Sequence, residues 1–559
     1  VEFEIVTGIA DLNKLVDLLV TNGFWACGLT LLKPIRTTIS GRTGFDRQCN
    51  DVLPLAKSIG ADPLELAERI ARHVRQFAPF SHVEVTPPGF INIRISDEYI
   101  INAATIQTLE GDQRKKILID FGAPNIAKAL HVGHLRSLVI GESLRRILLI
   151  RGYEVVSDIH LGDWGLPMGM LILEVLGAPL DVPRSKMDFE AMYPIAVQKC
   201  KDDPARMKRA KLVTNRLQEG NEVIVGIWRE ICDLSLALIM PQIKRLGAHF
   251  DYLYGESDAD RAIGSVLQEL PHREDDGAVI VDVALPDDKK PMPPVIFRKS
   301  DGGFTYAATD LATILRRVDQ GFNTILYVVD SRQSQHFEQV FRAARNFMTQ
   351  ELTHIGFGTV NGPDGKPYKT RDGGVPTLAS MLDAAVAKAS ERTTDPKDAE
   401  IIGIGAIKFA DLITRRESGY VFDIDRMMAL EGKTGPYLQY AAVRLAALFK
   451  EADHHLGSPE KMGISPPLAE SERALLVHLA NFPEAIETSE AQLSPMIIAD
   501  YAFGIAQRFS RFYADCQVII WDGDKLTPES RHRLAICEIT ASSLNRCLWL
   551  LGIDIPSKM

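Results

Sequence analysis

The sequence predicts a multidomain α/β protein: a small α/β N-terminal module, a Rossmann-like catalytic domain built on a doubly wound parallel sheet with an insertion, and a C-terminal α-helical bundle. Three observations predict it. Two strand–helix series are separated by a long stretch, from about 175 to 300, of different character. The first 112 residues carry their own alternation of helix and strand patterns. From about 401 onward almost every stretch has helical period. The expected domains are therefore 1–112, 113–431 and 432–559, in line with roughly 100–200 residues per domain.

In chain order, ADPLELAERIARHVRQFA (61–78) has apolar residues at helical spacing behind Asp62 and Pro63. HVEVTPPGFINIRI (82–95) reads as two strands around a Pro-Pro-Gly turn. KKILIDFG (115–122) is a short buried strand. It runs through Ala-Pro-Asn into an amphipathic helix from about His131 to Arg151, stopped by Gly152. YEVVSDIHLGDWG returns as strand and loop and completes a βαβ unit. The second series follows the insertion: TDLATILRRVDQ is helical, TILYVVD (324–330) a strand, SQHFEQVFRAARNF helical and HIGFGTV (354–360) a strand. A nucleotide is expected to cross the strand ends of such a sheet. ALLVHLANFPEAIE, ADYAFGIAQRFSRFYADC and RLAICEITASSLNRCLWLLG each place apolar residues three and four apart, which predicts the helical bundle.

Composition narrows the class. With 46% hydrophobic and 24% charged residues, the chain is neither disordered, collagen-like nor a small disulfide scaffold. Cys27, Cys49, Cys200, Cys232, Cys516, Cys537 and Cys547 are scattered without a CxxC pair, which points to a reducing compartment, the cytoplasm. No apolar run approaches the ~20 residues of a membrane span, and VEFEIVTGIADLNKLV lacks the basic start of a signal peptide. Acidic residues outnumber basic ones, 73 to 63, so a general electrostatic coat for nucleic acid or membrane is not expected, while a local basic face is compatible.

Within ILIDFGAPNIAKALHVGHLRSLVIGESLRRILL (117–149), His131, Gly133 and His134 stand where strand gives way to helix. Free N–H groups and the helix dipole there favour phosphate oxygens. Gly133 lets a nucleotide approach the backbone, and two imidazoles can donate hydrogen bonds as charge builds. Alone, an HxxH pair reads as two surface histidines. Zinc would need a matching Cys or His cluster, which is missing, so no structural metal is expected.

The segment resembles the HIGH motif of class I aminoacyl-tRNA synthetases, and the longer DFGAPNIAKALHVGHLRS resembles the arginyl-tRNA synthetases in particular. HLGDWG (160–165), TYAATDLA (305–312), YVVDSRQSQHF (327–337) and EGKTGPYLQYAAVR (431–444) resemble that family in order, and the likeness runs to the terminal LLGIDIPSKM. The resemblance implies ATP-dependent ligation of L-arginine to tRNA(Arg) through an arginyl-adenylate, with Mg²⁺ arriving on ATP. It also implies tRNA bound before activation, an anticodon-reading C-terminal domain and an N-terminal module at the tRNA corner. A monomer that binds no membrane is expected.

The family's second signature, KMSKS, is degenerate here, as NGPDGKPYKTRDGG (361–374). It offers Lys366, Lys369 and Arg371 to a triphosphate, and is no Walker A loop, since Val360 and Pro367 replace its first Gly and its Ser/Thr. The resemblance implies that Lys128 supplies the missing charge. It places Asp120, Tyr306 and Asp310 around the arginine side chain and Asn125 and Gln333 near the α-amino group. It places Pro124, Asn125, His131, Gly133, His134, Gly162, Asp163 and His336 around ATP. Carboxylates suit this substrate, because a guanidinium is planar, permanently charged and rich in donors. Taken alone, Asp310 reads as a helix cap and Tyr306 as a core aromatic. Pro167 and Gly122 stand where many relatives carry Gln and Ser. The basic stretch ARMKRAKLVTNR (205–216) reads as a solvated helix face. Tyr437, Tyr440, Phe512, Tyr513 and Trp549 are aromatic candidates for stacking on RNA bases, although helical aromatics are more often core. Two rivals fit less well. A paralogue without aminoacylation would show damaged catalytic positions, and a small nucleotidyltransferase would need neither insertion nor helical bundle.

Overall fold

The computed structural model describes residues 11–107, 109, 115–179, 182–368, 376–453, 463–523 and 525–559. The expected boundary at 112/113, Lys369 and Arg371 lie outside the described residues.

Near the N-terminus, β1 (Thr38–Ile39), β2 (Arg47–Cys49), β3 (Phe80–Thr86) and β4 (Phe90–Ile95) form an antiparallel sheet in the order β1-β2-β4-β3. Helix Pro63–Val74 packs on it through Leu66, Ile70 and Val74. Asp62 caps this helix at the Glu65 N–H, 2.8 Å away, and Pro63 sits where no N–H is needed.

The central sheet is parallel: β11 (Glu351–Phe357), β10 (Thr324–Asp330), β5 (Lys116–Phe121) and β6 (Glu154–Asp158), in the order β11-β10-β5-β6. The first series builds outward through β5 and β6, the second through β10 and β11. The order therefore reverses between β5 and β10, and a crevice opens at their C-terminal ends. The register aligns Asp158, Asp120 and Tyr327 across three neighbouring strands.

One predicted strand, 354–360, is divided. β11 starts at Glu351 and ends at Phe357. Gly358 donates to the Arg416 carbonyl at 2.7 Å, which draws the chain off the sheet, and β12 (Val360–Asn361) pairs instead with β13 (Tyr420–Val421). The expected amphipathic helix spans Val132–Ile150 but is buried along most of both faces, between the sheet and the C-terminal helices. Its polar side chains are consequently paired: Glu142 accepts from Arg145 and Arg146, and the Ser143 hydroxyl donates to the Leu550 carbonyl at 2.8 Å.

Helix Leu166–Leu176 leads into the insertion, which contributes helices Phe189–Asp202, Pro204–Gln218 and Glu222–Arg245, then an antiparallel sheet of β7 (Arg273–Asp275), β8 (Ala278–Val281) and β9 (Val295–Arg298). The basic stretch 205–216 lies in helix Pro204–Gln218, where Arg206 pairs with Glu174 and Lys211 with Asp301, while Ala210, Val213 and Leu217 are buried. Pro167 falls in the first turn of its helix, where a missing N–H is harmless.

The C-terminal helices Gly435–Asp453, Glu470–Ala480, Phe482–Ala491, Met496–Asp515 and Pro528–Leu550 share one core with the central sheet and the N-terminal elements. Arg473 joins the C-terminal helices to the N-terminal elements by donating to Asp46 and Asp97. Phe512 is fully buried and so leaves the set of RNA-stacking candidates. Tyr440 and Trp549 are exposed, Tyr513 lies under the Arg444 guanidinium at 3.8 Å, and Tyr437 packs on Phe503. Among the described residues no helix is long and apolar enough to cross a membrane.

Candidate active site

The strand–helix junction after β5 is held from below. Gly122 donates its N–H to the Ser137 hydroxyl at 2.8 Å, and Ser137 donates to the Val328 carbonyl of β10 at 2.7 Å. Pro124, Asn125 and Gly162 form a bridge between the two loops at the crevice. The Gly162 N–H meets the Pro124 carbonyl at 3.0 Å, and the Ile126 N–H meets the Gly162 carbonyl at 3.1 Å. A Cβ on Gly162 would stand 2.6 Å from the Asn125 Oδ1, so the close approach requires glycine.

His131 and His134 close a reciprocal cap. The Gly133 N–H donates to His131 Nδ1 and the His131 N–H to His134 Nδ1, each at 3.0 Å. Gly133 is needed because a Cβ there would lie 2.8 Å from the His131 ring. This corrects the expectation of bare amides at the helix start: the imidazoles already occupy two of them. With both Nδ1 atoms accepting, each proton sits on Nε2, which leaves two neutral N–H donors. Burial, with Lys128 and Arg332 nearby, lowers the His131 pKa; burial and His131 push His134 down to about 3.

In front of this cap lies a cavity of about 510 Å³ lined by His131, Gly133, Arg136, Arg332, Lys366 and Tyr368 among others. Arg136 is spent within the fold, on Asp411 at 3.1 Å and the Ser418 carbonyl at 2.7 Å. Arg332 is held bidentately by Asp330. Lys366 sits in a tight turn, its N–H on Asp364 Oδ1 at 3.0 Å. Arg332 is a cation that the reading of the sequence did not single out; its position directly after β10 was the available signal.

A second group assembles on helix Tyr306–Asp319. Tyr306 opens it behind the cap residue Thr305 and is exposed, so it is no core aromatic. Asp310 lies one turn later, inside the helix rather than capping it, and its Oδ2 is 2.6 Å from His336 Nε2. His336, expected near ATP, therefore stands with the carboxylate. Glu256, which opens a short turn after the insertion's long helix, faces the same group. Burial, then Asp310 and Asp163, push its pKa up to about 8. Burial, then Glu256 and Tyr193, raise that of Tyr306. Glu256 and Asp310, brought near each other where helix Glu256–Ala259 packs on helix Tyr306–Asp319, form an acidic slot in which like charges raise the cost of ionising both. Gln333 caps the helix that carries His336, at the C-terminal end of β10.

Two expected site residues point elsewhere. Asp120 is buried, and its Oδ2 accepts from Arg317 Nη2 at 2.6 Å; the same nitrogen reaches Asp158 at 2.7 Å. Asp120, Asp158 and His160 converge as a metal site would, but the cation between the two carboxylates is this chain's own arginine. Asp163 gives both oxygens to Ser257, at 2.6 and 3.1 Å, which fixes the loop that ends at Glu256. Sequence reading missed Glu256, Tyr193 and Arg317, because their partners lie far away in the chain.

Comparisons with known proteins identify the family. The family model described as "tRNA synthetases class I (R), catalytic domain" matches residues 98–424, the "DALR anticodon binding domain" 438–559 and the "Arginyl tRNA synthetase N terminal domain" 35–95. The arginine–tRNA ligase of Maricaulis maris is 39% identical, over 92% of this chain and 94% of its own length. That of Hyphomonas neptunium is 38% identical over the same shares. The fold is that of the arginyl-tRNA synthetase structures from Plasmodium falciparum (TM-score 0.82, 23% identity, 98% of this chain and 99% of that one) and Thermus thermophilus (0.77, 22%, 98% and 100%). With the catalytic-domain match spanning more than half of the chain, this protein belongs to the arginyl-tRNA synthetase family of class I tRNA synthetases.

Proposed function

We propose that this chain joins L-arginine to tRNA(Arg) at the expense of ATP, through an arginyl-adenylate. One observation carries the reading: the acidic slot of Asp310 and Glu256, with Tyr306 at its rim, belongs to the same fold edge as the cavity in front of His131 and Gly133. A substrate with a guanidinium at one end and a carboxylate at the other would span from slot to phosphate. The arginine carboxylate attacks the α-phosphorus of ATP in line, and pyrophosphate leaves with its bond electrons. A hydroxyl of the terminal adenosine of tRNA then attacks the activated carbonyl, and AMP leaves. The protein supplies no nucleophile; it positions and stabilises charge.

In this reading the Nε2–H groups of His131 and His134 donate to phosphate oxygens, and Lys128, with Lys366, Lys369 and Arg371, balances the growing negative charge. Asp310, Glu256 and Tyr306 read the guanidinium, and Asn125 and Gln333 the α-amino group. Asp120 acts from beneath, through Arg317, on the helix that carries Tyr306 and Asp310. Mg²⁺ arrives on ATP. Residues 1–112 contact the tRNA corner, residues 432–559 the anticodon loop, and tRNA is bound before arginine is activated. The enzyme works as a cytoplasmic monomer without a membrane.

ATP–pyrophosphate exchange measured with each amino acid, with and without tRNA, tests the reading. Exchange with arginine alone among the amino acids, and only with tRNA present, is expected. Exchange driven by another amino acid would overturn the substrate, and exchange without tRNA the order of binding.

A further inference from the structure

Lys128 is a cation with no carboxylate partner among the described residues. Its ammonium stands over the ring of Tyr193, 4.6 Å from the centroid. Tyr193 belongs to the insertion helix Phe189–Asp202 and is half-buried. The insertion also holds the backbone beside Lys128. Ala127 adopts a positive φ of 60°, uncommon for a residue with a side chain, and its N–H donates to the Ser235 hydroxyl of helix Glu222–Arg245 at 3.1 Å. Lys128 is thus gripped from two sides by a region outside the parallel sheet. His131 is close enough to feel its charge.

We propose that Tyr193 is a positioning residue for adenylate formation: its ring parks the Lys128 ammonium beside His131, and so makes the insertion part of the phosphate machinery. This rests on the role given to Lys128 above. The chemistry favours a ring over an acid. A carboxylate would neutralise the ammonium and hold it against a phosphate. An aromatic face attracts the cation without cancelling its charge, and more weakly than a charge-assisted bond to phosphate. The ammonium is therefore pre-placed, partly stripped of water and releasable. Tyr193 is also near enough to Tyr306 to raise its pKa.

The test uses the full chain with tRNA and arginine, reading kcat and both KM values of ATP–pyrophosphate exchange together with thermal melting. The variants are Tyr193→Phe, Tyr193→Leu, Tyr193→Met, Lys128→Met and the double change Tyr193→Leu with Lys128→Met. Phe keeps the ring and should stay near the parent. Leu and Met should lower kcat roughly three- to thirtyfold, with the KM for arginine unchanged. Whichever of the two melts like the parent is read, and Leu should add nothing to Lys128→Met. Additive losses, a Phe variant as poor as the aliphatic ones, or a raised arginine KM would overturn the inference. An unimpaired Lys128→Met would sink the underlying role of Lys128 instead.

Discussion

Two pairs of acids lie at helix Tyr306–Asp319, and among the described residues only one of them holds an arginine. Beneath the sheet edge, Asp120 and Asp158 share the Arg317 guanidinium, at 2.6 and 2.7 Å, with all three side chains buried. At the crevice, Asp310 and Glu256 lie close enough for burial and the Asp310 charge to drive Glu256 up to about 8, and among the described residues neither is paired with an arginine or lysine; Asp310 meets only His336, at 2.6 Å. The chemistry is the same, an acidic fork for a guanidinium. The difference is what completes it: the fold completes the first, and in the function proposed above the arginine substrate completes the second. Arg317 follows Asp310 by seven residues on one helix, so the filled fork fixes the pose of the empty one.

The largest effect should come from emptying the filled fork. Arg317→Leu strands two buried carboxylates and should cost stability toward the upper end of about 3–5 kcal/mol, read as a fall in unfolding free energy. A variant as stable as the parent would show the two forks to be alike in not needing a cation. Filling should fail next in the crevice: Asp310→Asn should weaken arginine binding by about 3 kcal/mol or slightly more, with ATP affinity and melting temperature little changed. Calorimetric titration of both ligands decides; near-normal arginine affinity would remove Asp310 from recognition. Lys128→Ala should raise the exchange barrier by about 2–4 kcal/mol without unfolding the protein. Unaltered exchange would remove Lys128 from the mechanism.

The smallest and sharpest effect concerns pH. In the free enzyme Glu256 holds its proton until about pH 8, and a guanidinium stabilises the carboxylate, so binding releases that proton. Arginine affinity should rise with pH by up to about tenfold per unit below 8 and flatten above it. Glu256→Gln should remove the slope. A profile unchanged by that substitution would place Glu256 outside the fork.

Local pattern carried the sequence reading a long way. The hand-over from β5 through Pro124 and Asn125 to His131 was visible because turn residues, helix cap and apolar period coincide within a few residues. Tyr306 and Asp310 were legible as one face of one helix. What escaped were pairings across the chain. Asp120 meets Arg317 197 positions away, which no period announces. Glu256 lies in a four-residue turn whose importance comes from the loop that Asp163 fixes beside it. Phe512 and Trp549 have similar helical spacing, yet one faces the core and the other solvent, because neighbouring helices decide which side is covered.

The filled fork has a consequence for how the protein is made. Position 317 is itself specified by the amino acid that this enzyme delivers to the ribosome. A copy translated from miscarried tRNA, with lysine or a neutral residue there, would fold around two acids that lack their planar partner. Such a copy would be less stable than its correctly made siblings and more readily removed. The accuracy of one generation of enzyme thereby bears on the survival of the next, through buried arginines such as Arg317.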